Sequence, residues 1–224
     1  KNIGVDPADI HGIFITHEHT DHINGLSVFA AKHNIPVYAA PGTLLALRNK
    51  GVLNTKHIDI AVSSDEVAVG NISIKPFRTS HDCADGRGYI IPGADGDTRV
   101  AVATDTGIIS PDLLSTLTGC KLVYIESNHD VAMLRTGHYP YTLQKRILSD
   151  KGHLSNDACA DALCALVNKG STHFVLAHLS KENNTPQLAF DTSTAMLSEL
   201  GALNNRDYIL KVAEPENTTG IITV

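Results

Sequence analysis

Directly after the apolar run Ile13-Phe14-Ile15, the chain reads His17-Glu18-His19-Thr20-Asp21-His22. Imidazole and carboxylate are the donors that borderline divalent cations take. Four of these side chains, His17, His19, Asp21 and His22, lie within six residues and cannot all face one way on a strand or a helix, whose side chains repeat every 2.0 or 3.6 residues. In a tight loop between the two they can converge. His17 and His19 could then hold one metal while Asp21 and His22 face a neighbouring one. The pattern recurs downstream: His81 follows Ile72–Phe77, Asp105 follows Arg99–Ala103, and His178 follows Phe174–Ala177. Each is a ligand-type side chain at the end of a separate apolar strand, where a sheet edge gathers functional groups.

The elements that must position these residues alternate along the chain. Gly12–Thr16 reads as a buried strand, His22 to Ala31 as a helix, and Pro36–Ala40 as the next strand. Val67–Val69 and Ile72–Ile74 flank Gly70-Asn71, a two-residue hairpin turn. A second hairpin is expected between Gly88–Ile91 and Arg99–Ala103. Lys121–Ile125 is another buried strand. Ser155 or Asn156 caps a helix that ends near Gly170, and Thr172–Ala177 is a strand leading to His178. Thr185-Pro186 opens a helix running to Leu200. Tyr208–Val212 and Gly220–Val224 close the chain as strands. Mixed sheets covered by helices are expected rather than a doubly wound parallel sheet, in one domain spanning residues 1–224.

Composition sets the boundaries. The chain has 224 residues, 18 basic and 24 acidic side chains, a net charge of −6, 42% apolar residues and 19% charged, the balance of a folded domain. No apolar run approaches the length of a membrane span. The acidic balance argues against non-specific coating of nucleic acid, though not against a local basic groove. Cys83, Cys120, Cys159 and Cys164 show no CxxC spacing, so buried thiols in a reducing cytoplasm are expected. Histidine is the outlier: 12 residues, against no Trp and 5% aromatics. A chain that starts at Lys1 without a leader reads as a fragment.

The ordered set HxHxDH, then His, Asp and His after separate strands, resembles the metallo-β-lactamase superfamily over nearly the whole length. The resemblance implies an α/β (α+β) fold, a four-layer αββα sandwich with metals at one edge. It also implies that the strand hairpin normally preceding the HxHxDH loop is missing here. Carried onto this chain, His17, His19 and His81 match the ligands of a first metal. Asp21, His22 and His178 match those of a second, with Asp105 bridging. Two divalent ions, Zn, Mn or Fe, are implied. Glu126–Asp130, Lys151–Asn156 and His178–Asn184, taken with the HxHxDH loop, resemble the WalJ (YycJ) branch, cytoplasmic bacterial hydrolases described as exonuclease-like.

That branch implies a phosphodiesterase or 5′-3′ exonuclease acting on DNA or RNA ends, in which a metal-bridging hydroxide attacks phosphorus. Its partner is a phosphodiester substrate, single-stranded nucleic-acid ends included, with no membrane involved; oligomeric state stays open. Asp21 is counted as catalytic as well as ligating. His153, in a Gly-His-Leu-Ser-Asn loop before a helix N-terminus, is either a phosphate contact or a general acid for the leaving oxygen. Asn128 and His129 follow a strand in the same manner; they polarise a phosphate, support Asp105, or bond structurally. Asp82 orients a ligand or simply turns a loop. Lys145-Arg146 and Lys181 are the local cations available for steering. His138 is a weaker candidate, and His11, His33, His57 and His173 read as ordinary histidines. Two other classes compete: an acyl hydrolase (lactonase or thioesterase) using the same metals on a carbonyl, and a non-catalytic scaffold. The scaffold reading predicts eroded ligands, and all seven positions are filled.

Overall fold

The computed structural model describes residues 4–63, 65–213 and 222–224. They fall into two compact units. The first ends its main stretch at Arg78 and adds Cys83–Ile91; the second comprises Thr79–Asp82 and the chain from Pro92 onward.

In the first unit, β1 (Ile13–Phe14), β2 (Val37–Ala39) and β3 (Asp59–Ala61) form a parallel sheet in that order. Every residue of β2 is buried, as a central parallel strand covered on both faces requires. Val37 and Ala39 pack with Ile15, Leu26, Leu44 and Leu47. Tyr38, on the opposite face, packs with Val62, Ile74 and Tyr89, and its ring stacks on Phe14 at 4.6 Å. The Tyr89 hydroxyl donates to the Ile15 carbonyl (2.7 Å), which fixes the strand end that precedes His17. α1 (Thr20–Ile23), α2 (Leu26–His33) and α3 (Pro41–Asn49) complete this layer. β4 (Val67–Val69) and β5 (Ile72–Arg78) form the expected hairpin, with Gly70 at φ +58° in the turn, and β6 (Arg87–Pro92) pairs antiparallel with β5.

In the second unit, β7 (Arg99–Ala103), β8 (Leu122–Glu126), β9 (His173–Ala177) and β10 (Ile209–Val212) are parallel, in the order β7-β8-β9-β10. The crossovers carry α4 (Pro111–Leu117), α5 (Val131–Thr136), α6 (Tyr141–Ile147), α7 (Asn156–Val167) and α8 (Pro186–Glu199). Side-chain caps start four of them: Ser110, Asp130, Ser155 and Thr185 each accept a first-turn N–H. Because the strands are parallel, their C-terminal ends share one edge. Residues 105, 126 and 178, at or just past the ends of β7, β8 and β9, gather there.

Three expectations change. The helix from His22 to Ala31 is two helices, because Gly25 adopts φ +80° and breaks the run. The short α1 thereby presents Asp21 and His22 in a single turn. Parallel pairing is far more extensive than expected, since helices that separate β-strands in sequence also serve as crossovers. Of the closing strand Gly220–Val224, Gly220 and Ile221 lie outside the described residues, and 222–224 form no strand. No described helix is long and apolar enough to cross a membrane.

Candidate metal centre

In the first unit the HxHxDH loop is braced from both sides. Thr16 accepts the Arg87 N–H at its carbonyl (2.9 Å), and its hydroxyl lies 3.1 Å from His17 Nδ1 and 3.3 Å from His22 Nδ1. The His17 ring sits 4.5 Å from that of His19 and 4.2 Å from that of His22. Asp21 Oδ2 is 3.5 Å from His22 Nε2 and well exposed. The intervening Glu18 is buried and structural. Its Oε1 accepts the Ala84 N–H (2.9 Å), and its carbonyl accepts Lys50 Nζ (2.9 Å).

In the second unit the centre of the cluster is Glu126, which is fully buried. Its Oε1 accepts Nδ1–H from His153 (2.7 Å) and from His178 (2.8 Å), while Oε2 accepts the N–H of Thr106 (2.9 Å) and Leu154 (3.2 Å). Burial alone would raise this carboxyl; the His153 and His178 hydrogen bonds outweigh it and hold the group below the usual range. Asp105 Oδ1 lies 3.5 Å from His178 Nδ1, 3.8 Å from His81 Nε2 and 3.9 Å from His153 Nδ1. His81 Nδ1 donates to the Gly152 carbonyl (2.9 Å), and burial pushes its imidazole toward the neutral form. Asp105 and His178 both adopt left-handed backbone, φ +57° and +55°. Such conformations persist only where surrounding contacts over-determine them, and they cluster at functional sites.

Against known proteins, residues 3–179 match the family model described as a beta-lactamase superfamily domain. The chain belongs to the metallo-β-lactamase superfamily. A protein of Bacillus anthracis named exodeoxyribonuclease YycJ is 36% identical over 222 residues, covering 99% of this chain and 83% of the relative. Exodeoxyribonuclease WalJ of Streptococcus pneumoniae is 34% identical over 221 residues, covering 97% and 81%. The metallo-β-lactamase fold protein YhfI of Bacillus subtilis superimposes with a TM-score of 0.67 at 14% identity, over 94% of this chain and 78% of that one. A diphosphatase of the PhnP family gives 0.61 at 15%, over 91% and 68%. The fold class expected from the sequence is the one found.

Metallo-β-lactamase proteins imply divalent metal ions, and the donors present suit them. A carbonyl and an ionised carboxylate only accept, so His81 and His178 carry their protons on Nδ1 and keep the Nε2 lone pair for a cation. The His17 ring, within 4.5 Å of that of His19 and 4.2 Å of that of His22, gathers imidazoles of the kind a divalent cation takes.

The other candidates from the sequence occupy varied positions. His153 is partly exposed and fixed by Glu126. Asn128 is buried, and its Nδ2 donates to the His178 carbonyl (2.8 Å), holding the strained residue. His129 is 1% exposed, its ring nitrogens have no hydrogen-bond partner among the described residues, and burial pushes its imidazole down to about 4. Asp82 lies 3.5 Å from His81 Nε2 and is gripped by the guanidinium of Arg146, so that arginine is committed to a carboxylate. His138 is an exposed side chain 3.8 Å from Glu182. The residue that sequence reasoning missed is Glu126. Its signal was available: it ends β8 as His81, Asp105 and His178 end or follow theirs.

Behind the cluster lies a buried amide network. Ser127 Oγ donates to Asn156 Oδ1 (2.7 Å), Asn156 and Asn184 exchange side-chain bonds (2.9 Å each), and Asn184 Nδ2 also donates to the Ser127 and Asn128 carbonyls (2.9 and 3.0 Å). It ties the loop after β8 to the starts of α7 and α8, and so fixes the segments bearing Asn128 and His153.

Proposed function

We propose that this metal-dependent hydrolase is a phosphodiesterase that shortens DNA strands from the 5′ end. The observation that carries the reading is the Glu126–His153 pair beside Asp105 and His178. A phosphodiester leaves as an alkoxide, and a doubly protonated ring whose Nδ1–H is held by a buried carboxylate can deliver the proton on Nε2. The names of the two relatives, each matched along most of its length, support nucleic acid, and DNA in particular, as the substrate.

Divalent ions would be held by donors from each unit, His17, His19, Asp21 and His22 in the first and His81, Asp105 and His178 in the second. When bound they supply Lewis acidity and an activated water. Zn, Mn and Fe all suit such a donor set. The chain's own groups do the rest. Glu126 fixes the orientation of His153 and His178 together and stabilises positive charge on the His153 ring. His153 Nε2 gives its proton to the leaving oxygen and retains the Nδ1–H bond to Glu126. Asn128 positions His178 through its carbonyl, and Asp82 with Arg146 steadies the segment bearing His81. His129 supports the packing behind Glu126 and does not touch substrate.

Cys83, Cys120, Cys159 and Cys164 form no disulfide among the described residues, which supports a cytoplasmic setting. Burial pushes the Cys159 thiol up to about 12, so it is inert. The test is degradation of a 5′-phosphorylated, fluorescent oligonucleotide by metal-loaded protein, with a chromogenic lactone alongside. Stepwise shortening abolished in Asp21→Ala is expected. Rapid lactone opening with an intact oligonucleotide would move the assignment to acyl hydrolysis.

A further inference from the structure

One face of β5 carries Ile72, Ile74, Pro76 and Arg78, so an apolar face ends on a cation. Ile74 packs with Tyr38, Val62 and Tyr89. At the end of the same face Arg78 stands directly opposite Arg87 of β6. Like charges so placed across an antiparallel pair repel, and an anion relieves them. Asp85 does so only in part. Its Oδ1 takes Arg87 Nη1, its Oδ2 takes the Gly42 N–H at the start of α3 (3.4 Å), and its carbonyl takes the Thr43 hydroxyl (2.9 Å).

Donors remain. Arg87 is only 5% exposed, and its side-chain hydrogen bonds among the described residues, to Asp85 and the Gly86 carbonyl, both use Nη1. A guanidinium presents five N–H donors, so among the described residues those on Nε and Nη2 are left over. Arg78 is exposed and, among the described residues, has no hydrogen-bonding or ion-pair partner for its side chain. Both arginines line a cavity of about 380 Å³ with Pro41, Ser63, Pro76 and Asp85. One net positive charge thus faces the cavity in a chain whose net charge is −6. The Arg87 N–H also donates to the Thr16 carbonyl, one residue before His17, so the cavity wall and the HxHxDH loop are joined directly.

We propose that this cavity is a phosphate subsite that takes a backbone phosphodiester of the substrate strand away from the scissile bond. Arg78 and the unused edge of Arg87 donate to its oxygens, a pairing for which the planar fork is suited. The inference rests on the nuclease reading above and adds the grip that an acidic protein needs to hold a strand.

The test is binding of a non-hydrolysable phosphorothioate oligothymidylate to metal-loaded protein across a salt series, with thymidine monophosphate as a second probe. Arg78→Ala is the variant, since that side chain is exposed and its loss leaves the fold intact. Lys32→Ala, an exposed lysine on α2, is the control. Loss of one phosphate contact lowers the slope of log K against log salt by about 0.7 on a single strand. Affinity should fall roughly tenfold, the scale of one hydrogen bond to a charged group. Both changes in Arg78→Ala and neither in Lys32→Ala support the subsite. If the wild type degrades oligonucleotides while Arg78→Ala binds with unchanged affinity and slope, the subsite is overturned and the nuclease reading stands. Equal weakening of monophosphate and oligonucleotide overturns the strand assignment in favour of a mononucleotide pocket. A wild type that neither binds nor degrades the oligonucleotide overturns the nuclease reading itself.

Discussion

Acid should destabilise this protein through one ring. His129 is buried with no hydrogen-bond partner for its nitrogens among the described residues, and desolvation pushes it to about 4, partly opposed by the nearby Glu126 and Asp130 carboxylates. In the unfolded chain the same ring titrates near 6.5. As pH falls below that value the unfolded state takes up a proton that the folded state refuses, so stability is full above about 6.5 and is lost progressively down to about 4. The gap, at about 1.4 kcal/mol per pH unit, comes to about 3.5 kcal/mol, of which about 3 kcal/mol is lost by pH 4. Urea unfolding of chelator-treated protein at pH 7 and pH 4 measures it, with His129→Leu as comparison. At pH 7 the variant should lie within about 1.5 kcal/mol of wild type, because a ring with unpartnered nitrogens loses no hydrogen bond when replaced by an apolar side chain of similar size. Between the two pH values the wild type should lose about 3 kcal/mol more than the variant. The comparison subtracts every other titrating group, His81 included. Parallel losses would overturn this assignment, for they would mean that His129 is protonated equally in both states.

Glu126→Gln replaces two acceptors serving four donors with one acceptor and an NH₂ group; it should cost about 3–5 kcal/mol in thermal unfolding and at least about 10²-fold in kcat. Gly152→Ala places a Cβ 2.2 Å from the carbonyl oxygens of Arg146 and Ile147 and shifts the carbonyl that orients His81. Calorimetry should show a loss of about 1–3 kcal/mol, and equilibrium dialysis about 10–100-fold weaker metal retention. Asn128→Ala frees the His178 carbonyl at its strained φ of +55°; metal affinity should again fall about 10–100-fold, while the His129 acid transition is retained.

What the sequence reveals about the site is set by range. The HxHxDH loop declares itself because its donors are neighbours in the chain. His81, Asp105 and His178 can be read because each follows its own apolar strand. Glu126 escapes notice: a glutamate closing a buried strand looks like the first polar residue of a loop, and its four hydrogen bonds come from residues 20 to 52 positions away. The hairpin at Gly70-Asn71 and the caps at Ser155 and Thr185 are local signals and read well. Strand order is non-local: nothing near Leu122 or His173 says that these strands pair in parallel. The opposition of Arg78 and Arg87 is equally hidden, since it exists only through the register of β5 with β6.

The central claim is that His153, held by Glu126, delivers the proton to the leaving oxygen of a phosphodiester. The direct measurement is kcat of metal-loaded His153→Ala on a 5′-phosphorylated oligonucleotide, with bound metal quantified in the same preparation. A fall of about 10²–10⁴ in kcat with metal content equal to wild type is expected. Unchanged turnover, or a loss explained wholly by missing metal, would contradict it.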